Sequence, residues 1–119
     1  MTEPVKSVLV VEDDVAIREC VVDLLTDEGF APVAARNGSE ALHLLRDGHV
    51  APAFILLDLM MLIMSGWQFR EAQLADRSIS SIPVIVMSAV DSRGISADGL
   101  VHKPFSCDDL MQMISRVVH

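Results

Sequence analysis

Short apolar segments alternate along the chain with longer segments in which apolar residues recur at helical spacing. The apolar segments are Ser7–Val11, Ala31–Ala35, Phe54–Leu57, Val84–Met87 and Gly99–His102. The predicted helices begin near Val15, Asn37, Gly66 and Ser106. Strands this short and this apolar are typical of positions buried on both faces of a sheet. The pattern therefore predicts an α/β fold in which helices cover both faces of a parallel sheet.

Composition limits the classes of function. The 119 residues, 51% of them hydrophobic, suffice for one core, and we expect a single domain over 1–119 without an output domain. A formal charge of −8 argues against direct nucleic-acid binding, because contacts with phosphates require cations. No apolar run is long enough for membrane insertion or for a secretory signal. Cys20 and Cys107 are too few for a disulfide framework, so a reduced, cytoplasmic setting is expected.

Reactive side chains stand where four of the predicted strands end. They are the acids Glu12, Asp13, Asp14 and Asp58, the hydroxyl of Ser88 and the amine of Lys103. Sites in open α/β sheets form at the carboxyl ends of strands, so these groups converge if the strand order brings the ends together. Clustered carboxylates stay ionised together only beside a cation, and Mg²⁺ suits one or two carboxylates with phosphate oxygens. An aspartate there could attack a phosphoryl group, with Mg²⁺ and Lys103 stabilising the charge.

Four segments of this sequence resemble motifs of bacterial receiver domains, the phosphorylated domains of two-component response regulators. Leu9–Asp14 is similar to their acidic pocket, Leu56–Met61 to their phosphoacceptor segment, Pro83–Ala89 to their switch strand and Lys103–Phe105 to their Lys-Pro-Phe turn. The resemblance covers nearly the whole chain, with the motifs in the family's order. It implies a flavodoxin-like, doubly wound sheet of five parallel strands in the order 2-1-3-4-5.

The resemblance also implies a role for each residue of the site. Asp58 would accept phosphate from a histidine kinase or phosphotransfer protein, and a change of shape would alter binding to a downstream protein that the sequence does not name. Asp13, Asp58 and the main-chain carbonyl of Met60 would bind Mg²⁺ directly, and Glu12 would act largely through metal-bound water. Ser88 would be the switch hydroxyl.

Two further roles concern the residues around this site. Lys103 would pair with Asp58 before phosphorylation and contact the phosphate afterwards, and its bond to Pro104 is expected to be cis. Asp14 is better placed to favour the N-terminus of the first helix than to bind metal.

The sequence departs from the family's pattern at three places. Leu62 stands where many members have proline, which predicts a more mobile acceptor loop. Leu100 stands where members usually carry an aromatic switch residue. The segment between Ser88 and Lys103 is about two helical turns shorter than is common, so the fourth helix is expected to be stunted or missing.

Three other functions are weighed against the phosphorylated switch. A degenerate receiver would keep the fold as a phosphorylation-independent interaction module, and absence of Mg²⁺ binding would favour it. An aspartyl-phosphate hydrolase usually carries an acid two residues after its nucleophile, where this chain has Met60, so we expect no multiple-turnover enzyme. A dinucleotide binder would need a glycine-rich turn after the first strand, and the turn here is acidic.

Overall fold

The computed structural model describes residues 6–89 and 94–118, which form a sheet flanked by helices. In chain order the elements are β1 Ser7–Val11, α1 Val15–Asp27, β2 Ala31–Ala35, α2 Gly38–Arg46, β3 Phe54–Asp58, α3 Gly66–Leu74, β4 Val84–Ser88, β5 Gly99–His102 and α4 Cys107–Val117. The apolar segments identified in the sequence are therefore the strands, and the segments with helical spacing are the helices.

The five strands form one parallel sheet in the order β2-β1-β3-β4-β5. This confirms the doubly wound topology that the family resemblance implies. β2 lies at an edge of the sheet. Pro32 has no amide hydrogen to donate, and at an edge this does not interrupt the hydrogen bonding between central strands. β3 lies at the centre and is buried along its whole length. The chain reverses its direction of winding between β1 and β3, which is where ligands bind in open α/β sheets.

The sheet separates two hydrophobic layers because alternate residues of each strand point to opposite faces. Along β1, Val8 and Val10 join the layer that contains residues of α1 and α4. Leu9 and Val11 join the opposite layer, which contains residues of α2 and α3. Burial on both faces explains why β1, β3 and β4 are continuous apolar runs rather than alternating ones, whereas the edge strands β2 and β5 are only partly buried.

No helix occurs in Ala89 or residues 94–98, the described residues of the connection between β4 and β5. Residues 90–93, on which the expected stunted fourth helix also falls, lie outside the described residues. Polar contacts fix the described part instead. The backbone of Asp98 donates to the carbonyl of Val84 at 2.9 Å, and its side chain accepts from the Val84 amide at 2.8 Å. Arg70 Nε donates to the carbonyl of Ser96 at 2.6 Å.

Candidate metal and phosphoacceptor site

The register of β1 and β3 brings the acidic residues of both strands together. Val11 is in register with Leu57, so Glu12 and Asp58, each the next residue along, lie side by side at the carboxyl edge of the sheet. Both strand ends are buried, and the side chains of Glu12 and Asp58 are buried with them. The sheet topology thus delivers two of the predicted site residues to one point.

β4 and β5 bring the hydroxyl and the amine to the same edge. Ser88 is the last residue of β4 and lies opposite His102 of β5. The backbone amide of Lys103, the next residue, donates to the Ser88 carbonyl at 2.8 Å. The Ser88 side chain is fully buried. Because β4 neighbours β3, the sheet carries the hydroxyl, the amine and Asp58 on three adjacent strands.

The carboxylates of Glu12, Asp13 and Asp58 form a cluster in which one oxygen of each lies within 4.8 Å of the others. The relative exposure of Glu12 is 1% and that of Asp58 is 5%, whereas Asp13 is only partly buried. All the donors are hard oxygen atoms, and the cluster opens to solvent on the side of Asp13. This donor set fits a divalent cation of the Mg²⁺ type, which prefers carboxylate oxygens and retains several waters.

Lys103 supplies the cluster with one ammonium group. Its Nζ donates to Glu12 Oε2 at 2.8 Å and to Asp58 Oδ1 at 3.3 Å. Burial alone would lower the pKa of Lys103, but the hydrogen bond and charge of Glu12, and then those of Asp58, raise it above its ordinary value. The expected pairing with Asp58 is therefore present, and a shorter contact with Glu12 accompanies it.

The surroundings of Glu12 raise the pKa of its carboxyl group. Burial raises the pKa of Glu12, the hydrogen bond from Lys103 lowers it, and the charge of Asp58 raises it again, with a net rise above the ordinary value. A single ammonium group is shared between carboxylates that repel one another, so negative charge remains uncompensated. A bound cation would supply the missing compensation.

The loop after Asp58 is closed tightly onto the end of β3. The Gly66 amide donates to the Leu59 carbonyl at 2.9 Å. A Cβ atom on Gly66 would lie 2.5 Å from the Asp58 carbonyl oxygen and 2.7 Å from the Leu59 Cα, so only glycine fits here. Between these ends the side chains of Met60 and Leu62 are exposed, at 61% and 96%. The loop therefore presents apolar side chains to solvent while its ends hold the Asp58 backbone.

Several neighbouring residues lie where the sequence placed them. The Asp14 side chain caps α1 by accepting from the Ile17 amide at 3.0 Å, so it serves the helix and is not part of the carboxylate cluster. The Lys103–Pro104 bond is cis, as expected. Leu100 lies in β5 and packs against the core layer of α2 and α3. Met60 lies two residues after Asp58, and the binding of metal by its carbonyl stays a prediction.

One contact with the acidic turn was missed by the sequence analysis. Arg18, in the first turns of α1, donates from Nη1 to the main-chain carbonyl of Glu12 at 2.9 Å. A signal was present in the sequence, because the Cα–Cβ bonds of a helix tilt toward its N-terminus. A long side chain just after the helix start can thus reach the turn that precedes the helix.

The sequence model of the response regulator receiver domain matches residues 8–115. The chain is 35% identical over 120 residues to the phosphate regulon transcriptional regulatory protein PhoB of Escherichia coli, covering 95% of this chain and 52% of that protein. The chain spans about half the length of the curated relatives it matches. It belongs to the response regulator receiver domain family, whose members act in two-component signalling.

Solved structures agree with this assignment. The chemotaxis protein CheY4 of Vibrio cholerae superposes with a TM-score of 0.87 and 26% identity, covering 97% of this chain and all of that one. The response regulator TrrA of Thermotoga maritima, solved with Mg²⁺-BeF, gives a TM-score of 0.83 and 27% identity over 95% of this chain and 99% of that one. Across residues 6–89 and 94–118, none of the helices has both the length and the apolar character needed to cross a bilayer.

Proposed function

We propose that this domain is a phosphorylated switch in which the Asp58 carboxylate accepts a phosphoryl group in the presence of Mg²⁺. The observation that carries the proposal is the convergence of three carboxylates, with oxygens within 4.8 Å of one another, beside the amine of Lys103. Support comes from the family to which the chain belongs and from a relative solved with Mg²⁺-BeF.

Asp13, Asp58 and the main-chain carbonyl of Met60 would hold Mg²⁺ directly, and Glu12 would do so largely through bound water. The ion would neutralise charge on the carboxylates and on the phosphoryl oxygens. A carboxylate oxygen of Asp58 would form a bond to phosphorus while the bond from phosphorus to the donor breaks, which leaves an acyl phosphate on Asp58.

Lys103 and Ser88 would stabilise the phosphorylated state. The Lys103 ammonium already lies 3.3 Å from Asp58 Oδ1, so a short movement would bring it to a phosphoryl oxygen. The Ser88 hydroxyl, at the end of the neighbouring strand, would donate a hydrogen bond to another. Movement of Ser88 and of the adjoining loop would then change the surface that a partner recognises, because Leu100 cannot provide the swing of an aromatic ring.

The phosphate donor is inferred to be a histidine kinase or phosphotransfer protein, and the recipient of the signal a further protein rather than nucleic acid. We place the domain in the cytoplasm. We infer that each chain accepts one phosphoryl group and does not act as a multiple-turnover enzyme. These inferences follow from the family and from the acidic charge of the chain.

Intact-mass spectrometry after incubation with acetyl phosphate tests the proposal. We expect one phosphoryl group to be added to the wild type only when Mg²⁺ is present, and none to Asp58→Asn. Asp14→Asn is a matched control, because it makes the same chemical change at a carboxylate outside the cluster and asparagine still caps a helix. Labelling of Asp58→Asn would refute the acceptor assignment. No labelling of a folded wild type, together with no Mg²⁺ binding, would favour the phosphorylation-independent interaction module.

A further inference from the structure

The acidic turn between β1 and α1 consists of Glu12, Asp13 and Asp14. Among the described residues of α1, only Arg18 contacts the main chain of this turn with its side chain. Its Nη1 donates to the Glu12 carbonyl at 2.9 Å, and its own amide donates to the Asp14 carbonyl at 2.9 Å as part of the helix. The Glu12 carbonyl lies past the end of β1, so the strand ladder does not hold it. A guanidinium on the helix supplies the partner that the ladder does not.

The other polar atoms of Glu12 also have partners. Its amide donates to the Ala35 carbonyl at 3.1 Å, Oε2 accepts from Lys103 at 2.8 Å, and Oε1 lies 3.3 Å from the Asp14 amide. With the Arg18 contact, the Glu12 carbonyl has a partner as well. This carbonyl and the Asp13 nitrogen belong to one peptide group, so the orientation of that group sets the directions of the Glu12 and Asp13 side chains.

We propose that Arg18 is a positioning residue for the metal site, which acts by fixing the Glu12–Asp13 peptide group so that both carboxylates point into the cluster. This inference rests on the proposed function. Mg²⁺ tolerates little departure from octahedral geometry, so a rotation of the peptide group between Asp13, a direct ligand, and Glu12, which acts through bound water, weakens binding. Loss of a group that orients metal ligands through hydrogen bonds commonly lowers metal affinity substantially.

The charge of Arg18 acts against its positioning effect, which makes the two separable. A guanidinium beside the acidic turn repels a divalent cation, so removal of the charge alone tightens metal binding. Loss of the hydrogen bond to the Glu12 carbonyl weakens it. The sign of the change in affinity therefore reports which effect dominates.

The test compares wild type, Arg18→Met, Arg18→Lys and the control Arg36→Met. Arg18→Met keeps most of the aliphatic part of the side chain but loses both the donor and the charge, whereas Arg18→Lys keeps the charge. Arg36 lies on the same rim as Asp13, yet its guanidinium pairs with Glu40 at 3.2 Å rather than with the acidic turn. Arg36→Met therefore removes an equal charge near the site without touching the Glu12 carbonyl.

Mn²⁺ serves as the probe, because it takes the same oxygen ligands as Mg²⁺ and its free form is counted by electron paramagnetic resonance. We expect Arg18→Met to raise the dissociation constant roughly tenfold, Arg18→Lys to give an intermediate value, and Arg36→Met to leave it unchanged or lower it. In phosphorylation by acetyl phosphate, the half-saturating Mg²⁺ concentration should rise by a similar factor in Arg18→Met, while the rate at saturating Mg²⁺ stays near that of the wild type.

Other outcomes would contradict the positioning role of Arg18. Equal or tighter Mn²⁺ binding by folded Arg18→Met, or an unchanged half-saturation with a lower maximal rate, overturns the positioning role. A stability loss in urea with unchanged metal affinity means that Arg18 only ties the helix to the turn, and it overturns the proposal as well. If the wild type itself binds no Mn²⁺, the proposed function fails together with this inference, whereas failure of Arg18→Met to differ leaves the proposed function intact.

Discussion

Lys103 lies closer to Glu12 than to Asp58: its Nζ is 2.8 Å from Glu12 Oε2 and 3.3 Å from Asp58 Oδ1. The shorter contact joins the ends of β5 and β1, two strands that do not pair with each other. The amine therefore spans the carboxyl edge of the sheet above β3 and β4. A cation that binds the carboxylates would compete with this ammonium group for the same oxygens.

The alkaline stability of the protein should depend on Lys103. Burial by itself lowers the pKa of Lys103, but the hydrogen bonds and charges of Glu12 and Asp58 together raise it above its ordinary value of 10.5. The charged amine thus stabilises the fold fully below pH 10.5, and this contribution is lost as the pH rises through the higher pKa of the folded state. Urea denaturation from pH 8 upward should show this decline in wild type and not in Lys103→Met.

The composition of the chain allows the contribution of Lys103 to be separated from that of other groups. It contains no tyrosine, and its only other lysine is Lys6. The thiols of Cys20 and Cys107 are exposed and are present in both proteins, so their effect cancels in the difference between wild type and variant. Parallel decline of both proteins above pH 10.5 would show that Lys103 gains nothing from its carboxylate partners.

The strands and the positions of the acids could be predicted because they depend on local patterns. Apolar runs give buried parallel strands, and each reactive residue is the last of a strand or follows its end. The contact of Lys103 with Glu12 could not be predicted, because it joins residues distant in sequence through the order of strands and a side-chain rotamer. Arg70 was missed for another reason: a charged residue in a helix is read as exposed, whereas Arg70 is buried in contact with Gln73, Ser96 and Asp98.

Gly66 should be irreplaceable even by alanine. A Cβ there would lie 2.5 Å from the Asp58 carbonyl oxygen, and backbone of a central strand cannot move away cheaply. We expect Gly66→Ala to lower the free energy of unfolding by about 2–3 kcal/mol, although alanine is otherwise favoured in helices.

Gly99→Ala is the matched control for this prediction. Its Cβ would meet Met113 Sδ at 2.7 Å and Val117 Cγ2 at 3.0 Å, which are side-chain atoms and can move aside more easily than the backbone of a central strand. A loss below about 1 kcal/mol is expected. The two variants are compared by urea denaturation monitored by circular dichroism, and equal losses would show that the Asp58 backbone yields as readily as a side chain.

Arg70 should contribute to stability far more than a surface arginine. The guanidinium donates to Gln73 Oε1 at 2.8 Å and to the Ser96 carbonyl at 2.6 Å, and the side chain is 8% exposed. Arg70→Met leaves these acceptors without their donor, and we expect a loss of about 2–3 kcal/mol in the free energy of unfolding.

Arg46→Met provides the comparison, since Arg46 pairs with Asp76 at 3.1 Å but its side chain is 49% exposed. A loss below about 1 kcal/mol is expected for an ion pair in contact with water. Amide exchange of residues 94–98 should accelerate in Arg70→Met and not in Arg46→Met. Similar behaviour of the two variants would mean that the described part of the β4–β5 connection does not depend on the buried arginine.

Leu62→Pro should tighten Mg²⁺ binding by restricting the acceptor loop. The Leu62 side chain is 96% exposed, so its replacement loses no packing, and proline removes backbone freedom that the leucine retains. Such a restriction is worth up to about 1 kcal/mol, which corresponds to a gain in affinity of up to about fivefold. Leu62→Ala removes the same side chain without adding the ring and should leave the affinity near that of wild type. Mn²⁺ titration of the three proteins, with amide exchange over residues 59–64, measures both effects. Unchanged exchange and affinity in Leu62→Pro would show that the loop is already as rigid with leucine as with proline.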